Sequence, residues 1–293
     1  MTKPMVNKVA IVTGGGRGLG KAIAIGLSKE GLSGICITSA KSKEQLDQTA
    51  SEIEALNLGV KVLPILADVT DPDACRHAVE STSNRLGNID ILINNAGKGQ
   101  NYIADDKVPF WEAKIDGWRE IVDTNINGPF LMSKLVVGGM MKKHWGRIIN
   151  ISKSLDSMHR AKNSPYGATK AALEAMSLSW AQDLLNTGVT VNTLAPGGSV
   201  DTNFVLPEIR KRILSKKISK HYYPTQVIVP AAIWLASSGS DGITGCRYIG
   251  ANWDKNLPAK EAAENAREKA IFHSPKRDTN LIKTWISRQT KLS

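Results

Sequence analysis

Seven short apolar runs punctuate the first 250 residues: 8–13 (KVAIVT), 34–39 (GICITS), 60–66 (VKVLPIL), 89–94 (IDILIN), 147–152 (RIINIS), 189–195 (VTVNTLA) and 246–250 (CRYIG). Most are nearly continuous rather than alternating, and all are too short for helices, which is the pattern of strands covered on both faces. Between them, apolar residues return every three or four positions, the spacing of amphipathic helices. Strands that alternate with helices in this way build a parallel sheet with helices on both sides. The pattern predicts a single doubly wound α/β domain with a seven-stranded sheet over residues 1–254. No Pro/Gly/Ser-rich linker or internal repeat divides it. Residues 255–293 form a C-terminal extension that reads first as helical (PAKEAAENAREKAIF) and then as basic and weakly patterned, with Trp285 and Ile286 as its apolar anchors. Packing against a neighbouring subunit and disorder are both open for it.

Composition narrows the function classes. With 42% hydrophobic residues the chain can bury a sizeable core, yet no window approaches 18 uninterrupted apolar residues and the amino terminus carries no cleavable apolar stretch. Membrane spanning and secretion are not expected. Three cysteines, Cys36, Cys75 and Cys246, are odd in number and far apart, without a CxxC pair or a His cluster. That disfavours a disulfide framework and a structural metal, and fits a reducing cytoplasm. The net charge of +11 is localised: residues 208–220 carry six bases against one acid, and residues 255–293 nine against four. Such patches are solvated surface or anion-facing lids. Aromatic residues are 5% of the chain and do not interleave with the patches, so single-stranded nucleic-acid binding gains no support, and no nucleic-acid partner is expected, an anionic surface bound by the tail being the alternative.

Candidate chemistry starts at the first strand, which runs into the loop TGGGRGLG (residues 13–20) and then a helix. Strand, glycine turn and helix in this order are what a pyrophosphate site requires. Gly14 and Gly18 let backbone approach the phosphates, with Arg17 and Leu19 beside them, and Gly20 permits close helix–strand packing. The helix N-terminus favours the anion. Further landmarks follow in order: NNAG, ending the fourth strand and contributing Asn95, Ala96 and Gly97; Asn125 in DTNINGPF; YGATK, spanning Tyr166 to Lys170; and Pro196–Gly197 with Thr202 after the sixth strand.

These five landmarks, in register over residues 6–250, resemble the classical short-chain dehydrogenase/reductases. The resemblance implies a Rossmann-type fold, a nicotinamide cofactor, a small-molecule carbonyl or alcohol substrate, and assembly into a homodimer or homotetramer. It assigns Tyr166 as the acid/base, Lys170 as its pKa partner and a ribose contact, and Asn125 as the holder of a proton-relaying water. An acidic residue closing the second strand would favour NAD by bonding the ribose 2′-hydroxyl. Ser39, Ala40 and Lys41 stand there instead, and Arg17 is near, so NADP is the expected cofactor and NAD the alternative. Asp68 and Val69 resemble the family's adenine contacts, although an Asp after a strand serves equally as a helix N-cap.

Tyr166 and Lys170 are four apart and share one helix face, where an ammonium stabilises a phenolate. The chain departs from the family at the serine commonly found 13 residues before the tyrosine, where it has Lys153 between Ser152 and Ser154. Ser154 is the expected carbonyl-polarising hydroxyl. Lys153 as the donor, or impaired catalysis in a cofactor-binding pseudoenzyme, are the alternatives. Asp156, His159 and Arg160 fall where family members contact substrate. A substrate lid is expected at about residues 198–223, and its bases suggest an anionic substrate.

Overall fold

The computed structural model describes residues 3–103, 108–200, 202, 211, 215 and 222–268. All seven expected strands form: β1 (Val9–Val12), β2 (Gly34–Ser39), β3 (Lys61–Leu66), β4 (Ile91–Asn94), β5 (Gly146–Ile151), β6 (Val189–Ala195) and, after a two-residue pair β7 (Ser199–Val200) and β8 (Tyr222–Tyr223), the seventh, β9 (Arg247–Ile249). The main sheet has the order β10-β9-β6-β5-β4-β1-β2-β3. Seven strands run parallel in six neighbouring pairs, and the eighth strand, β10 (Arg267–Glu268), adds antiparallel to β9. The order reverses between β1 and β4, which opens a crevice at the carboxyl ends of those strands.

Period-two alternation explains why the strands read as continuous apolar runs. Ala10 and Val12, Ile35 and Ile37, Ile91 and Ile93, Ile149 and Ile151 face one core, whereas Ile11, Cys36, Leu92 and Ile148 face the other. Helix α1 (Gly18–Lys29), α2 (Lys43–Glu54) and the Val229–Ala236 helix cover the first side. Helix α3 (Pro72–Leu86) and α5 (Gly128–Lys142) cover the second. Cys36 and Cys75 are buried small hydrophobes, and burial pushes the Cys36 thiol up to about 12.

The eighth strand lies beyond residue 254, in the segment read from the sequence as a C-terminal extension. The Ala259–Ala266 helix buries Ala262, Ala263 and Ala266, and Arg267–Glu268 then joins the sheet beside β9. An alanine face contributes little to a hydrophobicity pattern yet packs closely, and a two-residue strand has no period. Trp285 and Ile286 lie outside the described residues, as do most of the expected lid and its basic cluster, of which Lys211 alone is described. Among the described residues no helix is long and apolar enough to cross a membrane, and none group as a metal site.

Candidate active site

Local capping separates α1 from its neighbours. Ser42 caps α2 by accepting from Gln45 N, and Asp71 caps α3 by accepting from Asp73 N and Ala74 N. Helix α1 has Arg17 at its N-cap with no side-chain cap bond, and no acid in its first turn. Its N-terminus is thus left for an anion from outside the helix. Gly14 and Gly18 have φ of 65° and 56°, a left-handed conformation that side chains resist. A Cβ on Gly20 would lie 2.2 Å from the Gly14 carbonyl oxygen, so only glycine lets the helix start this close to the loop.

NNAG braces that loop. Asn95 Nδ2 donates to the Thr13 and Gly14 carbonyls at 2.9 and 3.1 Å, while the Asn95 and Ala96 amides donate to Thr13 Oγ1 at 3.0 Å each. One residue earlier, Asn94 donates to Asn150 and Asn150 to Ser177, a buried polar ladder across β4, β5 and the next helix. Asp68 Oδ1 accepts from the amide and hydroxyl of Thr70, so the turn after β3 belongs to Asp68 and the cap of α3 to Asp71.

A cleft of about 1350 Å³ spans the crevice. Gly14, Arg17, Gly18 and Leu19 line one wall, with Ser39 and Lys41 at its outer end and no carboxylate at the tip of β2. Asp68, Val69, Asn95, Ala96 and Gly97 form its floor, and Pro196, Gly197 and Thr202 the far side. Tyr166, Lys170, Lys153 and Ser154 close the inner end. Of the predicted site residues, Gly20 and Asn125 do not line the cleft. Three buried side-chain oxygens without a hydrogen-bond partner among the described residues, those of Thr38, Gln100 and Thr124, belong to cleft-lining residues. The glycine cradle, the free α1 terminus and the bases Arg17 and Lys41 fit a phosphorylated dinucleotide.

At the inner end, helix α7 (Tyr166–Asp183) begins at the tyrosine itself. Tyr166 keeps part of its surface open, yet burial pushes its phenol above the ordinary value. Burial lowers the Lys170 ammonium to about 8, partly offset by Glu174 one turn on, and Lys170 Nζ donates to the Ile151 carbonyl at 2.7 Å. Spacing shows the lysine neighbour expected to lower the phenol, whereas the burial that raises it comes from the fold. At neutral pH the phenol is therefore neutral and the lysine mostly protonated. Asn125 is fully buried: its Nδ2 donates to the Lys98 carbonyl and Thr169 Oγ1, and its Oδ1 accepts from Lys98 N, which clamps the chain leaving NNAG.

The three residues around the serine position separate. Ser152 is buried and donates to Glu174 Oε1 at 2.5 Å. Lys153 carries its ammonium 4.5 Å from the centre of the Tyr166 ring and donates to the Ser157 carbonyl at 3.2 Å. Ser154 lies 2.9 Å, hydroxyl to hydroxyl, from Ser157, which donates its own proton to the Ser154 carbonyl. Asp156 and Arg160 pair with each other at the mouth, and Lys98 pairs with Glu120.

Sequence reasoning missed a buried charged cluster behind these residues. Arg247, on β9, donates through Nη1 to Glu174, through Nη2 to the Lys153 carbonyl at 2.7 Å, and through Nε to Glu268 at 2.7 Å. Its one sequence signal is an arginine inside an apolar strand run.

Comparison with known proteins decides the family. The short chain dehydrogenase family profile matches residues 8–212. The chain belongs to that family. A 3-oxoacyl-(acyl-carrier-protein) reductase of Pseudomonas aeruginosa is 34% identical over 241 residues, covering 81% of this chain and 93% of its own. Its counterpart in Staphylococcus epidermidis is 31% identical over 242 residues, covering 82% and 96%. Among solved structures, a putative short-chain alcohol dehydrogenase from Sinorhizobium meliloti superposes with a TM-score of 0.73 at 27% identity, covering 85% of this chain and 96% of that one. A gluconate 5-dehydrogenase from Burkholderia cenocepacia, in complex with NADP and tartrate, has a TM-score of 0.72 at 27% identity, with the same coverage. The protein is therefore an oxidoreductase-family member with the doubly wound fold.

Proposed function

We propose that this short chain dehydrogenase is an NADP-dependent reductase that interconverts a carbonyl and a secondary alcohol on a small molecule. The observation that carries the reading is one cleft joining the uncapped α1 terminus and Lys41 at one end to Tyr166 and Lys170 at the other. When bound, the nicotinamide supplies the hydride. Tyr166 gives its phenolic proton to the oxygen on which charge develops, and Lys170 holds the resulting phenolate in a favourable field. Asn125 holds the Lys98 segment and would place the relaying water. Ser154 polarises the carbonyl, turning its hydroxyl from Ser157 to the stronger acceptor. Arg17, Ser39 and Lys41 would receive the 2′-phosphate that distinguishes NADP, with Asp68 and Val69 beside the adenine.

Both 3-oxoacyl reductase relatives and the NADP-bound gluconate dehydrogenase support a ketone on a molecule that also carries a thioester or a carboxylate as the first chemistry to test. The reading places the protein in the cytoplasm, supported by three free thiols, and as a homo-oligomer, supported by exposed Ile115 and Phe130 on neighbouring helices. One observation favours a second reading, a cofactor-binding protein with impaired catalysis: Lys153 occupies the serine position with its cation over the Tyr166 ring.

The test follows NADPH absorbance with the purified protein against acetoacetyl-CoA, keto acids, ring ketones and aldehydes, beside NADH, Tyr166→Phe and Lys153→Ser. Turnover that prefers NADPH and vanishes in Tyr166→Phe supports the reductase. NADPH binding without turnover, with activity appearing in Lys153→Ser, supports the second reading.

A further inference from the structure

Arg247 is 1% exposed and Glu174 is 3% exposed, and neither touches the cleft. Burying two such charges is costly unless their hydrogen-bonding capacity is used. Arg247 uses its planar fork on three acceptors from three parts of the chain: Glu174 on α7, the Lys153 carbonyl after β5, and Glu268 on β10. Glu174 in turn accepts from the Ser152 hydroxyl, and it lies one turn past Lys170, whose ammonium holds the Ile151 carbonyl. The four residues 151–154 are thereby gripped from behind at three successive points: the Ile151 carbonyl, the Ser152 hydroxyl and the Lys153 carbonyl. The same four residues present Lys153 and Ser154 to the cleft.

We propose that Glu174, Arg247 and Glu268 form a positioning device that holds the Ser152–Ser154 segment in its catalytic register, and that the start of the C-terminal extension, through Glu268 on β10, completes it. The idea deepens the reductase reading and rests on it for its catalytic consequence. Without the device, residues 152–154 follow β5 as irregular backbone, tied to the sheet by the Ser152 amide on the Leu194 carbonyl. The departure from the family serine explains the need for it. A lysine and a shifted serine in that slot depend on backbone placement, because a shift of one residue exchanges which of them faces the substrate. Glu268 is the rim of the device, its side chain 41% exposed, while Arg247 and Glu174 are its buried centre.

The test uses full-length Arg247→Met and Glu268→Gln in amide hydrogen exchange read by mass spectrometry, with the protein free of ligand. Losing a charged hydrogen bond that orders a segment is expected to speed exchange in the peptide spanning residues 150–158 by about tenfold in Arg247→Met, with peptides of the glycine loop unchanged. Glu268→Gln is expected to do the same to a smaller extent, and it decides the question should Arg247→Met fail to fold. In turnover of whichever carbonyl the wild type reduces fastest, kcat is expected to fall by about 10-fold to 100-fold in Arg247→Met with KM for NADPH unchanged, the mark of misplaced reacting groups in an intact cofactor site. Exchange at residues 150–158 that is unchanged in both variants overturns the proposal. So does exchange that rises equally throughout the chain, the mark of a merely structural cluster. A wild type that reduces no carbonyl overturns the reductase reading instead, and leaves the exchange result to decide the positioning device.

Discussion

Lys170 offers a prediction whose size follows from the structure. Its ammonium sits 5% exposed on the first turns of α7 and has been lowered from 10.5 to about 8 by burial, against the raising influence of Glu174. That drop corresponds to about 3 kcal/mol of preference for the neutral amine in the folded state. Between pH 8 and 10.5 the unfolded chain holds a proton that the folded protein has released, so the stability contributed by this site rises with pH across that window. Below pH 8 both states are protonated and the full cost of burying the cation is borne. Lys170→Met removes the titration. The difference in unfolding free energy, wild type minus variant, is expected to climb by about 3 kcal/mol from pH 7 to pH 10.5, with a slope of at most about 1.4 kcal/mol per pH unit. At neutral pH the variant escapes that cost of about 3 kcal/mol but leaves the Ile151 carbonyl without its donor at roughly 1–3 kcal/mol, so the two proteins are expected within about 2 kcal/mol of each other there. Urea unfolding followed by circular dichroism at pH 7, 8, 9 and 10 measures this directly in both proteins. A difference that stays flat with pH would refute the reasoning, because it would mean that the ammonium is as well solvated in the fold as in the unfolded chain.

Three further outcomes test other parts of the site. Gly20→Ala drives a methyl group into the Gly14 carbonyl and Asn95 Nδ2, at 2.2 and 2.4 Å from the new Cβ, so calorimetry should show NADPH affinity lost and thermal scans a lower Tm; wild-type binding would contradict the close-approach argument. Lys41→Glu places an acid at the exposed tip of β2 and should shift the ratio of NADPH to NADH affinity by at least about tenfold toward NADH, more at low salt than at high. Asp71→Ala removes the acceptor of two amide hydrogen bonds at the start of α3 and should cost about 1 kcal/mol in urea unfolding while leaving turnover unchanged, since the cap lies outside the cleft.

The linear pattern alone determined the strands of the parallel sheet, because each is long enough to alternate between two apolar faces, as Ile35 to Ile37 do between the two cores. It also determined the glycine loop, a contiguous run between strand and helix, and the Tyr166–Lys170 pair, one helical turn apart. Long-range chemistry was not legible in this way. Asn95 reads as part of a motif, but its bonds to Thr13 and Gly14 span more than 80 residues. Burial raises the Tyr166 phenol in a way that spacing does not show, since a neighbouring cation is visible in sequence and desolvation is not. In the segment after residue 254, Ala262, Ala263 and Ala266 are buried and Glu268 reaches Arg247, contacts that no local hydrophobicity records. Lys153 was recognised as a departure from its position alone. What surrounds it, with its carbonyl on Arg247, Ser152 turned inward to Glu174 and Ser154 turned to Ser157, depends on four segments meeting. Periodicity encodes which face a residue shows, and only the folded chain decides which charges then find one another across it.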